Sequence, residues 1–133
     1  MNLPDLPKQN KSAEADFGLR FRKWIAEHRP TESGVAYELK HCRGESSIPF
    51  DAVEPEQLAY GGKIEARGEL VRVMGSRGEP DYLWVHGPSW IVCGYVGFWC
   101  MIRRDRWIWE RNMGKRKSLT ADRAKEIAEL VVG

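Results

Sequence analysis

The chain has 133 residues, 42% of them hydrophobic and six of them Trp, with a formal net charge of +2. That length fits one core without a second module, and that apolar content can fold without disulfide or metal staples. No apolar run approaches the roughly 18 residues of a membrane span, and the opening Met1-Asn2-Leu3-Pro4-Asp5 lacks the plan of a signal peptide, so no membrane partner and a cytoplasmic setting are expected.

Cys42, Cys93 and Cys100 show no CxxC or Cys/His spacing of the zinc type and read as reduced structural thiols. Residues 1–11 read as a flexible leader and 12–133 as a single domain. Ser12 is a good N-cap, with Glu14 and Asp16 at the positive end of the helix that follows. Phe17, Phe21, Trp24 and Ile25 recur at helical spacing as one buried stripe, and Pro30 closes the helix. After the turn Thr31-Glu32-Ser33-Gly34, residues 35–40 read as a strand. Glu54-Pro55 opens a short helix carrying Gln57, Leu58 and Tyr60 and stopping near Gly61-Gly62.

Strands are then predicted at 69–74, 82–86, 91–95, 99–102 and 106–109, with turns at Ser76-Arg77-Gly78 and Gly87-Pro88-Ser89. Ser118 or Thr120 caps a last helix over 121–131, with Ala124, Ile127, Ala128 and Val131 on one side. The order predicts an α/β (α+β) fold with a mixed central β-sheet flanked by helices.

Strand alternation places Ala36, Glu38 and Lys40 on one face and Val35, Tyr37 and Leu39 on the other. Glu38 and Lys40 are thus neighbours, either as an ordinary surface ion pair or as the centre of a site. Three residues bear on that choice. Glu14 lies on the extension of the inward stripe, where a carboxylate needs a cation or a capping role, whereas Asp16 aligns with Arg20 and Lys23 on the polar face. Glu32 either bends back toward Glu38 or is a turn residue. Gln57 either folds over the strand or is a solvent-facing amide.

Residues 103–117 concentrate Arg103, Arg104, Arg106, Arg111, Lys115, Arg116 and Lys117 against Asp105 and Glu110, with Trp107 and Trp109 among them. This stretch either neutralises phosphates and stacks on bases or is a solvated strand and turn whose indoles face the core.

Glu38-Leu39-Lys40, preceded by an acidic turn and a helix bearing a Glu, resembles the PD-(D/E)XK nucleases. The likeness is closer to the RecU and archaeal Hjc Holliday-junction resolvases and their phage relatives. It is carried by residues 14–24 (EADFGLRFRKW), 36–41 (AYELKH), 47–57 (SIPFDAVEPEQ) and 118–128 (SLTADRAKEIA). The resemblance implies a restriction-endonuclease-like fold and endonucleolytic hydrolysis of DNA, with four-way junctions as a substrate. A homodimer would make the two cuts, and the setting would be the host cytoplasm if the chain is phage-encoded. Residues 91–95 and 99–102 are candidates for the dimer interface or, equally, for the core.

By the resemblance, Glu38 matches the motif glutamate, Lys40 the motif lysine, Glu14 the helix-borne glutamate and Gln57 the glutamine that follows the motif. The motif Asp has no clear counterpart. Glu32 stands closest ahead of Glu38, while Pro80-Asp81 follows it in the wrong order and reads as a turn entering a strand. The implied cofactor is Mg²⁺, with Mn²⁺ as a substitute, on Glu38, Glu14, Glu32 and the Leu39 carbonyl. Lys40 would serve the attacking water, and Gln57 would position the lysine or the phosphate. His41, on the face opposite to Lys40, is expected in a structural or DNA-contacting role, and Arg43 at the DNA backbone with Arg103, Arg104, Arg106, Lys115, Arg116 and Lys117. The rival reading is a non-catalytic DNA-binding module on a degenerate nuclease fold.

Overall fold

In the computed structural model, described over residues 5–28, 36–42, 47–75 and 77–133 (backbone only at 5–14 and 36), the chain forms a mixed sheet flanked by helices. Helix α1 (Asp5–His28) precedes β1 (Ala36–His41), the short β2 (Ser47–Pro49), a 3-10 turn at Phe50–Ala52 and α2 (Pro55–Ala66). A hairpin of β3 (Glu69–Met74) and β4 (Pro80–Val85) follows, then β5 (Ser89–Tyr95), β6 (Phe98–Arg103) and α3 (Arg104–Met113). The chain closes with β7 (Ser118–Thr120), α4 (Ala121–Ile127) and β8 (Leu130–Val132). The four-stranded sheet runs β1-β5-β6-β8, and β1 is parallel to β5 while the other pairings are antiparallel. This is the mixed α+β plan expected from the order of elements.

Every residue of β5 is buried, so the strand reads as a continuous apolar run and not as an alternation. Its even positions Trp90 and Val92 join Met101, Phe17 and Phe21 in the layer beneath α1. Its odd positions Ile91, Cys93 and Tyr95 join Cys100, Ile102, Phe50, Leu58, Trp107 and Leu119 in the layer beneath α2, α3 and α4. The two strands weighed as a dimer interface are therefore core. The α1 stripe is as expected: Phe21 meets Tyr37 at 5.0 Å and Trp99 at 5.3 Å between ring centroids. Truncating Phe17 or Phe21 to Ala would cost about 3–5 kcal/mol.

Several elements differ from the sequence reading, among them the unpredicted short strands β2 and β7. Helix α1 begins at Asp5 and not after Ser12; Pro7 is tolerated there because the first-turn amides of a helix have no intrahelical acceptor. Residues 106–109 form part of helix α3, not a strand. The Arg-Trp-Ile-Trp alternation imitates a period of two, but the buried positions are Trp107 and Glu110, three apart, as a helix requires. The last helix stops at Ile127, and residues 130–132 instead pair with β6, Val132 opposite Trp99. Thr120 does cap it, its hydroxyl accepting from the Arg123 amide at 3.2 Å.

Helix α2 runs through Gly61-Gly62 to Ala66. Those glycines do not end it; they make room. A Cβ on Gly61 would lie 2.9 Å from Arg104 Cδ and on Gly62 2.8 Å from Arg104 Nη2, so the arginine lies directly along the helix. Arg104 Nε donates to the Leu58 carbonyl at 2.6 Å, and its Nη1 stands 3.7 Å from Glu65 Oε2. These contacts fix α2 over the sheet. The β2–β7 pair adds a second tie, with Ile48 opposite Leu119, both buried.

Candidate active site around Glu38

The register of β1 decides which way its side chains project. Glu38 pairs with Ile91 and Lys40 with Cys93, both in the layer under α2, whereas Tyr37 and Leu39 pack in the layer under α1. Glu38 and Lys40 therefore point toward α2, side by side, as alternation requires. Lys40 Nζ lies 3.4 Å from Glu38 Oε1, with the side chains 22% and 32% exposed respectively. At that exposure the pair contributes at most about 1 kcal/mol to stability, so the fold itself has little need of it.

Gln57 occupies the first turn of α2, and its side chain bridges two elements. Its Oε1 accepts from the Glu54 backbone amide at 2.8 Å, and its Nε2 donates to Glu38 Oε1 at 2.6 Å. The amide orientation follows from chemistry: the Glu54 N–H can only donate, so the carbonyl end must face it and the NH₂ end must face the carboxylate. Glu38 Oε1 is thus held by both Gln57 and Lys40.

Cys42, just past β1, donates its amide to the Gly94 carbonyl at 2.8 Å. By alternation the even residues of β1 turn their backbone groups toward β5, and Leu39 turns its carbonyl to the outer edge. Among the described residues no strand pairs along that edge. A carboxylate beside an outward-facing carbonyl suits a hard divalent cation, which takes oxygen donors and keeps several waters while binding one or two carboxylates. Among the described residues no group of three or more His, Cys, Asp or Glu could hold a metal ion. Glu32 and Arg43 lie outside the described residues, as does the side chain of Glu14. The part of α1 whose side chains are described packs on the sheet face opposite to Glu38.

The basic stretch divides. Arg103 lies over the Trp90 ring at 5.2 Å, Arg104 is engaged along α2, and Arg106 is shared between Glu110 (3.1 Å) and the Trp109 ring (4.8 Å). Lys115, Arg116 and Lys117 are exposed. Trp107 is fully buried against Phe50, ring centroids 5.1 Å apart, so it belongs to the core and not to a stacking surface, whereas Trp109 is 49% exposed. His41 does face away from Lys40; its ring packs 5.6 Å from Phe17, and its Nδ1 is buried without a partner among the described residues. Asp81 sits at the turn end of the β3–β4 hairpin and accepts from the Tyr82 amide at 2.8 Å, the strand-entry role expected of it.

Two residues were passed over in the sequence. Glu110 is buried and takes a two-pronged grip from Arg123, at 2.7 Å from Nη2 and 3.2 Å from Nε, besides Arg106. The hydrogen bond from Arg123 is the main reason its carboxyl titrates below the ordinary glutamate range. The four-residue spacing of Arg106 and Glu110 was the available signal, but Arg123 is distant in sequence. Glu54 was read as a helix opener, yet its amide sets the orientation of Gln57. No protein-family model, no curated protein and no solved structure matches the chain.

Proposed function

We propose that the protein is a metal-dependent endonuclease of the PD-(D/E)XK type that hydrolyses DNA phosphodiester bonds, with branched DNA such as four-way junctions as its substrate. The observation that carries this reading is the 2.6 Å bond from Gln57 Nε2 to Glu38 Oε1, with Lys40 on the same oxygen. A carboxylate whose orientation is fixed by a capping-box glutamine of another element, with an ammonium beside it, is an arrangement that positions charge.

Glu38 and the Leu39 carbonyl would hold Mg²⁺ or Mn²⁺, with Glu14 and Glu32 as further acids. Bound there, the ion supplies charge neutralisation on the phosphate and an acidified water. Lys40 would orient an attacking water and meet the negative charge that grows on the phosphate oxygens. Gln57 keeps Oε1 engaged, which would leave the other carboxylate oxygen for the ion. Lys115, Arg116 and Lys117 supply cations for the DNA backbone.

The test is cleavage of a four-way junction and of linear duplex with Mg²⁺ or Mn²⁺. Wild type cuts; Glu38→Ala binds DNA with unchanged affinity and does not cut; Lys40→Met cuts more slowly by about 10²–10⁴-fold. Salt-dependent binding by wild type with no cutting in either ion would instead identify a non-catalytic DNA-binding module.

A further inference from the structure

The β3–β4 hairpin pairs with no other strand among the described residues. Its register places Leu70 opposite Trp84, Arg72 opposite Tyr82 and Met74 opposite Pro80, all on one face. On that face Leu70 is 59% exposed, Met74 78%, Tyr82 59% and Trp84 57%. The other face is little better covered, with Val73 and Leu83 also exposed. A two-stranded ribbon is marginal in water without a surface to pack on, and soluble chains rarely leave a contiguous apolar patch of this kind open unless something docks there.

We propose that this ribbon face is the surface through which two copies of the chain associate, ribbon against ribbon. The charge of the ribbon argues for a protein partner over a nucleic acid. Arg72 is the one charged strand residue on this face, with Glu69 and Asp81 projecting from the other, so a phosphate backbone would find a single cation there. Its composition of aromatic, Met and Arg side chains is the one enriched at protein interfaces. The area is sufficient for a pair. Four large side chains more than half exposed offer on the order of 100 Å² each. Two such faces, with Arg72, Pro80 and the backbone, reach the roughly 1,000 Å² that a specific interface needs. A two-fold axis along the strands sets each Arg72 over the opposing Tyr82 and each Leu70 over the opposing Trp84, so the cation meets an aromatic face and not its own twin. The inference stands on the ribbon alone and goes beyond the proposed hydrolysis.

Sedimentation of the full chain, without metal or DNA, tests it at micromolar concentration. Wild type is expected as a dimer. Met74→Lys combined with Trp84→Ser should raise the dimer dissociation constant by about 100-fold or more, with the thermal midpoint of the resulting monomer showing that the core is intact. Tyr82→Cys gives an independent readout, because the natural cysteines are all buried: a bifunctional maleimide with a reach of about 10 Å, the spacing of packed sheets, should join two copies. A monomeric wild type, or a dimer indifferent to both ribbon changes, overturns the proposal. So does a ribbon variant of unchanged mass that loses affinity for a single-stranded oligonucleotide, which would make the ribbon a nucleic-acid surface.

Discussion

Gln57 and Glu38, on different elements and nineteen positions apart, share a 2.6 Å hydrogen bond whose polarity is imposed by a third group, the Glu54 amide. The glutamine therefore acts on the carboxylate as a positioning residue. Replacing it by Ala frees Glu38 to rotate, and such supporting partners of metal ligands are worth about 10–100-fold in metal affinity or activity. The expected outcome for Gln57→Ala is a Mg²⁺ titration of cleavage shifted to higher concentration. Gln57→Glu should be worse at neutral pH, because it sets two carboxylates against each other. An unchanged Mg²⁺ titration in both variants would remove Gln57 from the site.

Metal binding can be read without catalysis. An ion held by the native state and not by the unfolded chain raises the thermal midpoint by mass action. Wild type should melt higher with added Mg²⁺ or Mn²⁺ than with a chelator, and the difference should vanish in Glu38→Ala. A shift that survives that substitution would place the ion elsewhere.

The two indoles of α3 should separate cleanly. Trp107→Ala removes a fully buried ring and is expected to cost about 3–5 kcal/mol in denaturant unfolding. Trp109→Ala should leave stability within about 0.5 kcal/mol, since half the ring is already in water. Lys115→Ala and Lys117→Ala should each flatten the salt dependence of DNA binding by about one unit of slope if each neutralises a phosphate. A slope unmoved by both would take the stretch out of the DNA interface.

Glu110 gives a pH prediction with a definite sign. Its carboxyl titrates lower in the folded protein than in the unfolded chain, chiefly through the Arg123 hydrogen bond. Its stabilising contribution is therefore complete above the unfolded glutamate pKa of roughly 4.3 and is lost as pH falls through the folded value. Glu110→Gln should lower the thermal midpoint at neutral pH, and the gap to wild type should close in acid. At neutral pH the cost is expected to be on the order of 1 kcal/mol, because Arg106 and Arg123 are part-exposed and can turn to water. A gap that does not depend on pH would show that packing, not charge, is what Glu110 contributes.

The centre of the candidate site was legible because each of its parts obeys a local rule. A period of two fixes Glu38 and Lys40 on one face whatever the rest of the chain does, and a proline-led helix start places Gln57 in a first turn. The α1 stripe was legible for the same reason. What escaped depends on distant partners. Residues 106–109 alternate like a strand, and only the Phe50 ring and the core behind it make Trp107 the inward residue of a helix. Residues 130–132 continue a helical pattern until β6 offers its edge. Gly61-Gly62 looks like a stop because the sequence nearby does not reveal that Arg104 needs the space.

That last contact ties two distant positions into one shared volume. On Gly62 the three nearest neighbours of an added Cβ are all Arg104 guanidinium atoms, so a side chain there and the present Arg104 conformer compete for the same space. Glycine in mid-helix forfeits about 1 kcal/mol relative to alanine, and the arginine's bond to the Leu58 carbonyl offsets that loss. A side chain at position 62 therefore requires the Arg104 guanidinium to swing aside, away from Glu65. Gly62→Ala alone should weaken the helix, while in the Arg104→Ala background the same change should strengthen it. The two substitutions are therefore expected to be non-additive.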